Sequence, residues 1–388
     1  MNRENDASVP ILDLRRAFGE IRGEVRAAVD RVFDTQAFIL GREVRTFEEH
    51  MEAYLELPEG GAAVGCASGS DALLLALMAL NIQPGDEVIT TPYTFFATAS
   101  AITRLGAVPV FADIDPDTYN VSLADVERKI TPKTKVFLPV HLFGQMVPQE
   151  KIAPLLKERG IKIVEDAAQA FGSWRKVEGR IVRAGTMGDV GCTSFFPTKN
   201  LGGCGDGGMM VTSDPELAAR LRKLRVHGEG STYFHEEVGL NSRLDALQAA
   251  ILDVKLPHLE EWNEERRSLA SFYRLCFESR GLTGEGKLRL PVELEGNYHI
   301  YHQYVIRTPL RDELMAWLEE RKIATRVYYP LPLHLQPCFA FLGGKAGDFP
   351  ESERLSREAL ALPVFPGLRP EEQERLADAV AEFARSRF

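Results

Sequence analysis

The chain has 388 residues, 45% hydrophobic and 26% charged, a balance that fits a folded protein of about two domains and excludes wholesale disorder. Its net charge of −10, with no Lys/Arg stripe, argues against a nucleic-acid partner, and no apolar run reaches the ~20 residues needed to span a membrane. Residues 1–8 are polar, unlike a signal peptide, and the five cysteines (Cys66, Cys192, Cys204, Cys276, Cys338) form no CxxC pair, so the expectation is a cytoplasmic protein with neither a disulfide framework nor a metal site.

Short apolar runs alternate with helical patterns from about residue 60 to 215. The strands expected are 87–90, 108–113, 135–141, 161–165, 191–196 and 209–212, and the helices between them 70–80, 95–105, 123–129 and 148–158. Near-continuous apolar strands that alternate with helices indicate an α/β fold built on a mostly parallel sheet covered on both faces. A hairpin-like loop is expected over 172–188, then a helix over 244–256 and a long charged amphipathic helix over 259–279. Beyond a glycine-containing loop at 281–287 come a strand at 301–307, a helix at 310–321, the Pro-rich passage Tyr329-Pro330-Leu331-Pro332-Leu333-His334, and a last helix at 370–385. The expected division is a large domain over 1–255, including an N-terminal helical segment, and a small one over 256–388.

Lys199 is the most informative residue. It lies between the apolar run Thr193-Ser194-Phe195-Phe196 and the turn Gly202-Gly203-Cys204-Gly205-Asp206-Gly207-Gly208. A lysine on a rigid bend beside small residues can condense with an aldehyde cofactor as a Schiff base, although a turn lysine alone is more often simply exposed. Three further elements suit a phosphorylated pyridine aldehyde, pyridoxal 5′-phosphate. Gly69 and Ser70 precede an apolar helix whose N-terminal N–H groups and dipole suit a phosphate, or merely need a cap. Asp166 ends a strand, where ligands bind in open α/β sheets, and can pair with a protonated pyridine nitrogen; an exposed strand-end acid is the plainer alternative. Gln169 could meet the ring hydroxyl. Phe95, in Thr91-Pro92-Tyr93-Thr94-Phe95-Phe96, could stack on the ring or belong to the core.

In this order, these residues resemble the DegT/DnrJ/EryC1/StrS family of sugar aminotransferases, fold-type-I enzymes that use pyridoxal phosphate. The resemblance runs from about Val9 to the C-terminus and is carried by Gly85-Asp86-Glu87-Val88-Ile89, Val164-Glu165-Asp166-Ala167-Ala168-Gln169-Ala170, Ser194-Phe195-Phe196-Pro197-Thr198-Lys199, Gly205-Asp206-Gly207-Gly208 and Asn241-Ser242-Arg243-Leu244-Asp245. It implies a large domain with a mostly parallel seven-stranded sheet and a smaller C-terminal α/β domain. It also implies that Lys199 is the Schiff-base lysine, Asp166 the pyridinium partner, Gln169 the contact to the ring oxygen and Phe95 the stacking ring. Gly69, Ser70, the Asp71 backbone and Ser194 would hold the phosphate. Asn241 would reach the phosphate of a neighbouring subunit in a homodimer with shared sites. Arg243, Tyr328 and Tyr329, with His334 as a further candidate, would meet a nucleotide sugar. Many relatives have Thr where Ser70 stands, which keeps the hydroxyl, and some have His at the position of Tyr328.

The reaction the resemblance implies is a two-stage transamination. Glutamate or glutamine gives its amino group to the cofactor, which passes it to a keto group, with C3 favoured over C4, of a UDP- or dTDP-linked hexose used in surface polysaccharide or glycan synthesis. Three other readings are open. A sugar dehydratase of the same family would carry histidine in place of Lys199, and a non-catalytic regulator would typically have lost Lys199 or Asp166. A Rossmann-type nucleotide binder would carry GxGxxG after its first strand. His141, His227 and His235 are scattered and lack metal-ligand spacing.

Overall fold

A computed structural model describes residues 8–284 and 286–387; of the polar N-terminal stretch only Ser8 is among them, and Glu285 of the 281–287 loop lies outside the described residues. The chain opens with two amphipathic helices, α1 (Leu14–Thr35) and α2 (Arg42–Tyr54). The Asp13 carboxylate caps α1 by accepting from the Arg15 N–H at 3.1 Å.

The seven-stranded sheet follows, interleaved with helices. Its members are β1 (Ala62–Cys66), β2 (Glu87–Thr90), β3 (Val108–Phe111), β4 (Thr134–Phe137) and β5 (Lys162–Asp166); after the hairpin β6 (Trp174–Val177) and β7 (Arg180–Arg183) come β8 (Val190–Ser194) and β9 (Gly208–Thr212). The order across the sheet is β1-β9-β8-β5-β4-β2-β3. Only β9 runs against the rest, pairing antiparallel with both β1 and β8. Helices α3 (Gly69–Ala79), α4 (Ala97–Arg104), α5 (Leu123–Lys129) and α6 (Ala153–Glu158) connect the strands, α7 (Pro215–Leu224) follows β9, and α8 (Ala246–Lys255) packs with α1 and α2.

Most expected elements hold to within a few residues, some at the expected bounds, most shorter and β9 and α12 longer, and two differences have plain causes. The 148–158 helix is a 3₁₀ turn, Gln149–Lys151, followed by α6, because Pro154 is tolerated only in the first turn of a helix. Strand β1, not expected from the sequence, is made of Ala, Gly, Val and Cys, a composition with little strand preference of its own. It is held by its register with β9, from Ala62 opposite Thr212 to Cys66 opposite Gly208.

A second apolar core forms from α9 (Leu259–Ser279), the antiparallel pair β13 (Tyr304–Arg307) and β14 (Ala359–Leu362), α10 (Arg311–Glu320) and α12 (Pro370–Arg387), with Tyr273, Phe277, Tyr304, Leu318 and Phe383 at its centre. Val9 joins this core through a bridge to Ile323, so the N-terminal segment packs with the C-terminal unit. We propose the domain boundary near residue 255: Leu259 at the start of α9 still packs with α1, α2 and α8, while Ala270, Tyr273 and Phe277 belong to the second core. Several contacts join the two units, among them the following two. The short strand β12 (Asn297–Tyr298) pairs with β6, and the Asp113 carboxylate after β3 caps α11 (Pro350–Glu358), accepting from the N–H groups of Glu351 and Ser352 at 3.0 Å each.

One buried ion pair anchors the edge of the sheet that carries β1. Glu48 of α2 accepts from Arg225, which follows α7, at 2.5 Å and from the Gly65 N–H at 2.8 Å, while Arg225 donates to the Gly65 carbonyl at 2.8 Å. Removing one member of such a pair leaves the other charged and buried. Arg225→Met is expected to lower the urea-unfolding free energy by ~3 kcal/mol, with part of the loss restored by adding Glu48→Gln.

Candidate active site

Asp166 is the last residue of β5, and its buried carboxylate faces the C-terminal end of the parallel strands. One oxygen accepts from the Thr98 hydroxyl at 2.8 Å and the other from the Ala168 N–H at 3.2 Å; Thr94 supports Thr98 at 3.0 Å. Thr98 lies in the first turn of α4, and Thr94 in the bend before it turns back to reach the Thr98 hydroxyl. Burial raises the Asp166 carboxyl above its ordinary value, against the Thr98 and Ala168 hydrogen bonds and the charge of Lys199. The neighbouring Glu165 points the other way. It takes His141 Nε2 at 2.7 Å and the N–H groups of Gly185, Met187 and Gly188, and although burial works to raise it, these donors hold it low. His141 Nδ1 accepts from the Val147 N–H, so the ring is fully engaged in fixing the loop that follows β4.

Lys199 sits on the turn after β8, closed by Lys199 N–H to Phe196 O and Gly203 N–H to Phe195 O, each 2.8 Å. Asn200 pins this turn to the C-terminal unit: its amide donates to Asn263 Oδ1 at 2.6 Å and its oxygen meets His302 Nδ1 at 2.7 Å. Burial lowers the Lys199 amine to about 8, with the Asp166 charge opposing the shift. The amine is therefore substantially neutral just above physiological pH, which a nucleophilic or proton-transferring lysine requires.

The N-terminus of α3 forms a cup. Ser68 caps the helix through the Asp71 N–H at 3.1 Å, so the Asp71 backbone donor, expected to face a phosphate, is already taken. The N–H groups of Gly69 and Ser70 have no acceptor among the described residues, and the Ser70 side chain is exposed. Glycine is needed here for close approach: a Cβ on Gly69 would lie 2.6 Å from Ser194 Cβ, and one on Gly208 2.4 Å from the Ser68 backbone. On the opposite side Phe95 is 58% exposed, and its ring lies 6.4 Å from that of Tyr329. Gln169 is used inside the protein, accepting from the Phe143 N–H and donating to the Tyr329 hydroxyl, each at 2.9 Å. Tyr93 Oη donates to the Tyr328 carbonyl and accepts from the Tyr329 N–H at 3.0 Å, which fixes the passage before Pro330 against the large unit.

The expected residues thus divide into groups. Asp166 and Lys199 share one buried field, Gly69 touches Ser194, and Gln169, Tyr329 and Phe95 form a connected wall. Asn241 is exposed and directed outward, and Arg243 makes no ion pair or hydrogen bond among the described residues. Between them Ser242 is buried, donating to Asp71 Oδ2 at 2.8 Å and accepting from the Ala67 N–H at 3.1 Å, which ties this segment to the α3 cup. His334 is buried against Phe349 and bonded to Glu353 at 3.1 Å, which ties it to the start of α11. Thr98, Ser68 and Ser242 are not evident from the sequence as parts of the site; Thr98, a polar residue in the first turn of a helix that follows a strand end, is the one with a local signal. Among the described residues no group of three or more His, Cys, Asp or Glu is placed to hold a metal ion, and no helix is long and apolar enough to cross a membrane.

The residues fit a phosphorylated pyridine aldehyde: a glycine-walled cup with two free N–H donors, a buried carboxylate whose charge burial disfavours, and a lysine with a depressed pKa. Fold and site together define a fold-type-I transferase dependent on pyridoxal 5′-phosphate. The sequence model of the DegT/DnrJ/EryC1/StrS aminotransferase family matches residues 20–381, and the chain belongs to that family. It is 50% identical to a "Pleiotropic regulatory protein" of Geobacillus stearothermophilus, over 97% of this chain and 99% of that protein. It is 42% identical to the UDP-N-acetyl-3-dehydro-alpha-D-glucosamine 3-aminotransferase of Acidithiobacillus ferrooxidans, over 97% and 98%. The crystal structure of S. venezuelae DesV in complex with a ketimine intermediate superposes with a TM-score of 0.92 at 43% identity, covering 97% of this chain and 98% of that one.

Acetylation of Lys199 in the apoprotein by limiting acetic anhydride, read by peptide mass spectrometry, is expected to rise with a midpoint near pH 8. Asp166→Asn removes the charge that favours the ammonium, so its midpoint is expected at lower pH.

Proposed function

We propose that this enzyme transfers an amino group from glutamate or glutamine to the C3 keto group of a nucleotide-linked hexose, a UDP-3-keto uronic acid or a dTDP-3-keto-6-deoxyhexose, in cytoplasmic synthesis of a surface glycan. The observation that carries the reading is the intact pair of buried Asp166 and pKa-depressed Lys199 beside the α3 cup. The 42%-identical relative, named for amination at C3, supports the ketone position. The relative named as a regulator favours a second reading, a binding protein on this fold. A regulator has no need of a lysine tuned toward neutrality, and Lys199 is so tuned.

Lys199, Asp166, Gln169, Phe95, Gly69, Ser70 and Ser194 would hold pyridoxal phosphate. When bound, that group supplies an electron sink for the electron pair left when a Cα–H bond breaks. Lys199 Nζ, neutral above about pH 8, takes the proton from the donor's Cα and later returns one to the sugar carbon that receives nitrogen. Thr98 and Ala168 keep the Asp166 carboxylate oriented, and Asp166 keeps a pyridine nitrogen protonated. Tyr329, held by Gln169, walls the site from bulk water.

Arg243 offers an unpaired guanidinium to a sugar nucleotide, with Tyr328 and Tyr329 on the facing wall. The sharing of sites in a homodimer has support from the hairpin β10 (Glu229–Ser231) and β11 (Phe234–His235), where Tyr233 is 87% exposed, Phe234 73% and the nearby Val238 90%. So much exposed apolar surface just ahead of Asn241 suits burial against a second copy.

With glutamate as donor and 2-oxoglutarate release as the readout, 3-keto nucleotide sugars are expected to exceed 4-keto sugars in kcat/KM by about tenfold or more. Preference for a 4-keto sugar would move the ketone assignment, and no turnover on any member of the panel would favour the regulator. Lys199→Ala is expected to lower kcat by about 10³-fold or more.

A further inference from the structure

Beside the lysine turn, at Thr198, a cavity of about 400 Å³ opens between the N-terminal segment at Ile11 and Leu12, α9, β14 and Tyr328. Thr198, the residue before Lys199, forms part of its wall, and His302, bonded to Asn200 of the lysine turn, forms another. The volume falls within the range of small-molecule sites. No acidic side chain lines it, whereas two arginines do.

Arg266 is buried without a carboxylate partner. Its Nη1 donates to the Val364 carbonyl at 2.8 Å and more weakly to those of His302 and Tyr301, and its Nε has no acceptor. Burial lowers its pKa only to about 10, so it stays cationic at neutral pH. A buried, unpaired guanidinium is costly unless an anion completes it. Arg326 stands at the mouth, its backbone paired with Ala361 of β14, and its side chain makes no ion pair or hydrogen bond among the described residues. Gln303 lies on the same wall, and its amide N–H, not its buried oxygen, is the group that could meet a carboxylate. Most of the chain's other arginines pair with a carboxylate, including Arg16, Arg175, Arg220, Arg225 and Arg307.

We propose that this cavity seats the carboxylates of the amino donor, with Arg266 and Arg326 as the cations that recognise them and Gln303 beside them, and that it selects glutamate over glutamine. Two guanidinium groups with no acid between them favour a dianion over a monoanion, and guanidinium forks match carboxylates geometrically. The cavity shares Thr198 with the turn that carries Lys199, and His302 on its wall is bonded to Asn200 of the same turn, so a donor anchored there would need to reach past Thr198 to present its Cα to the amine. A uronate carboxylate on the acceptor has the same chemistry, and the experiment separates the two sources. The inference rests on the transaminase reading above.

The test is calorimetric titration of the holoenzyme with glutarate, a dicarboxylate with no amino group to react. Wild type is expected to bind it, L-glutamate to compete, and UDP-glucuronate not to compete. Arg326→Ala, at an exposed position, is expected to weaken glutarate by about tenfold or more while leaving Tm and the bound-cofactor absorbance unchanged. Arg266→Lys, which keeps the charge and loses the fork, is expected to weaken it less. In the donor half-reaction, followed by the change in cofactor absorbance, glutamate is expected to outrun glutamine in wild type and to lose that lead in Arg326→Ala. Equal glutarate affinity in wild type and Arg326→Ala would overturn the proposal, as would displacement of glutarate by UDP-glucuronate but not by glutamate. Wild type that binds glutarate through Arg326 yet aminates no sugar nucleotide would leave the subsite standing and remove the sugar reading; the reverse pattern would do the opposite.

Discussion

The desolvation of a buried carboxylate and a half-buried amine within one another's field, Asp166 at the end of β5 and Lys199 on the turn after β8, governs the rest of this site. Each is driven toward its neutral form by loss of water, and each charge resists that drive in the other. Such an arrangement stays stable only if both groups are held from outside. Thr98 and Ala168 hold Asp166, and the two turn hydrogen bonds with the Asn200 clamp hold the backbone of Lys199. The buried His141–Glu165 pair behind Asp166 uses its donors and acceptors within the protein, so it braces the strand ends without competing for the site.

The same logic explains why the two structural units are stitched so firmly. Lys199 belongs to the large unit, but Asn200 reaches Asn263 on α9 and His302 next to β13. Tyr329 comes from the C-terminal unit and is held by Gln169 and Tyr93 of the large one. The site is therefore assembled between cores that must stay in register, and the Asp113 cap on α11 together with the β6–β12 pairing supplies that register.

Much of this was legible in the sequence, for identifiable reasons. The parallel strands β2 to β5 announce themselves as short apolar runs between helices, and Asp166 and Lys199 stand where such runs end. β1 escaped because small residues carry no strand signature; its partner β9 makes it a strand. The cap of α3 is Ser68, two residues ahead of the Ser70 that the sequence offers to a phosphate; both serines flank Gly69, and only backbone geometry separates their roles. His334 looked available from its place after Tyr328-Tyr329-Pro330, but the fold turns it under Phe349, a contact no local pattern encodes. The unpaired cations Arg266 and Arg326 lie 60 positions apart and become neighbours of one cavity only when α9 packs beside β14.

The most direct measurement is reduction of the pyridoxal phosphate-loaded protein with borohydride, followed by proteolysis and mass spectrometry of the labelled peptide. A single pyridoxyl group on Lys199 is expected. A label on another lysine, or none in a protein that retains its fold, would contradict it.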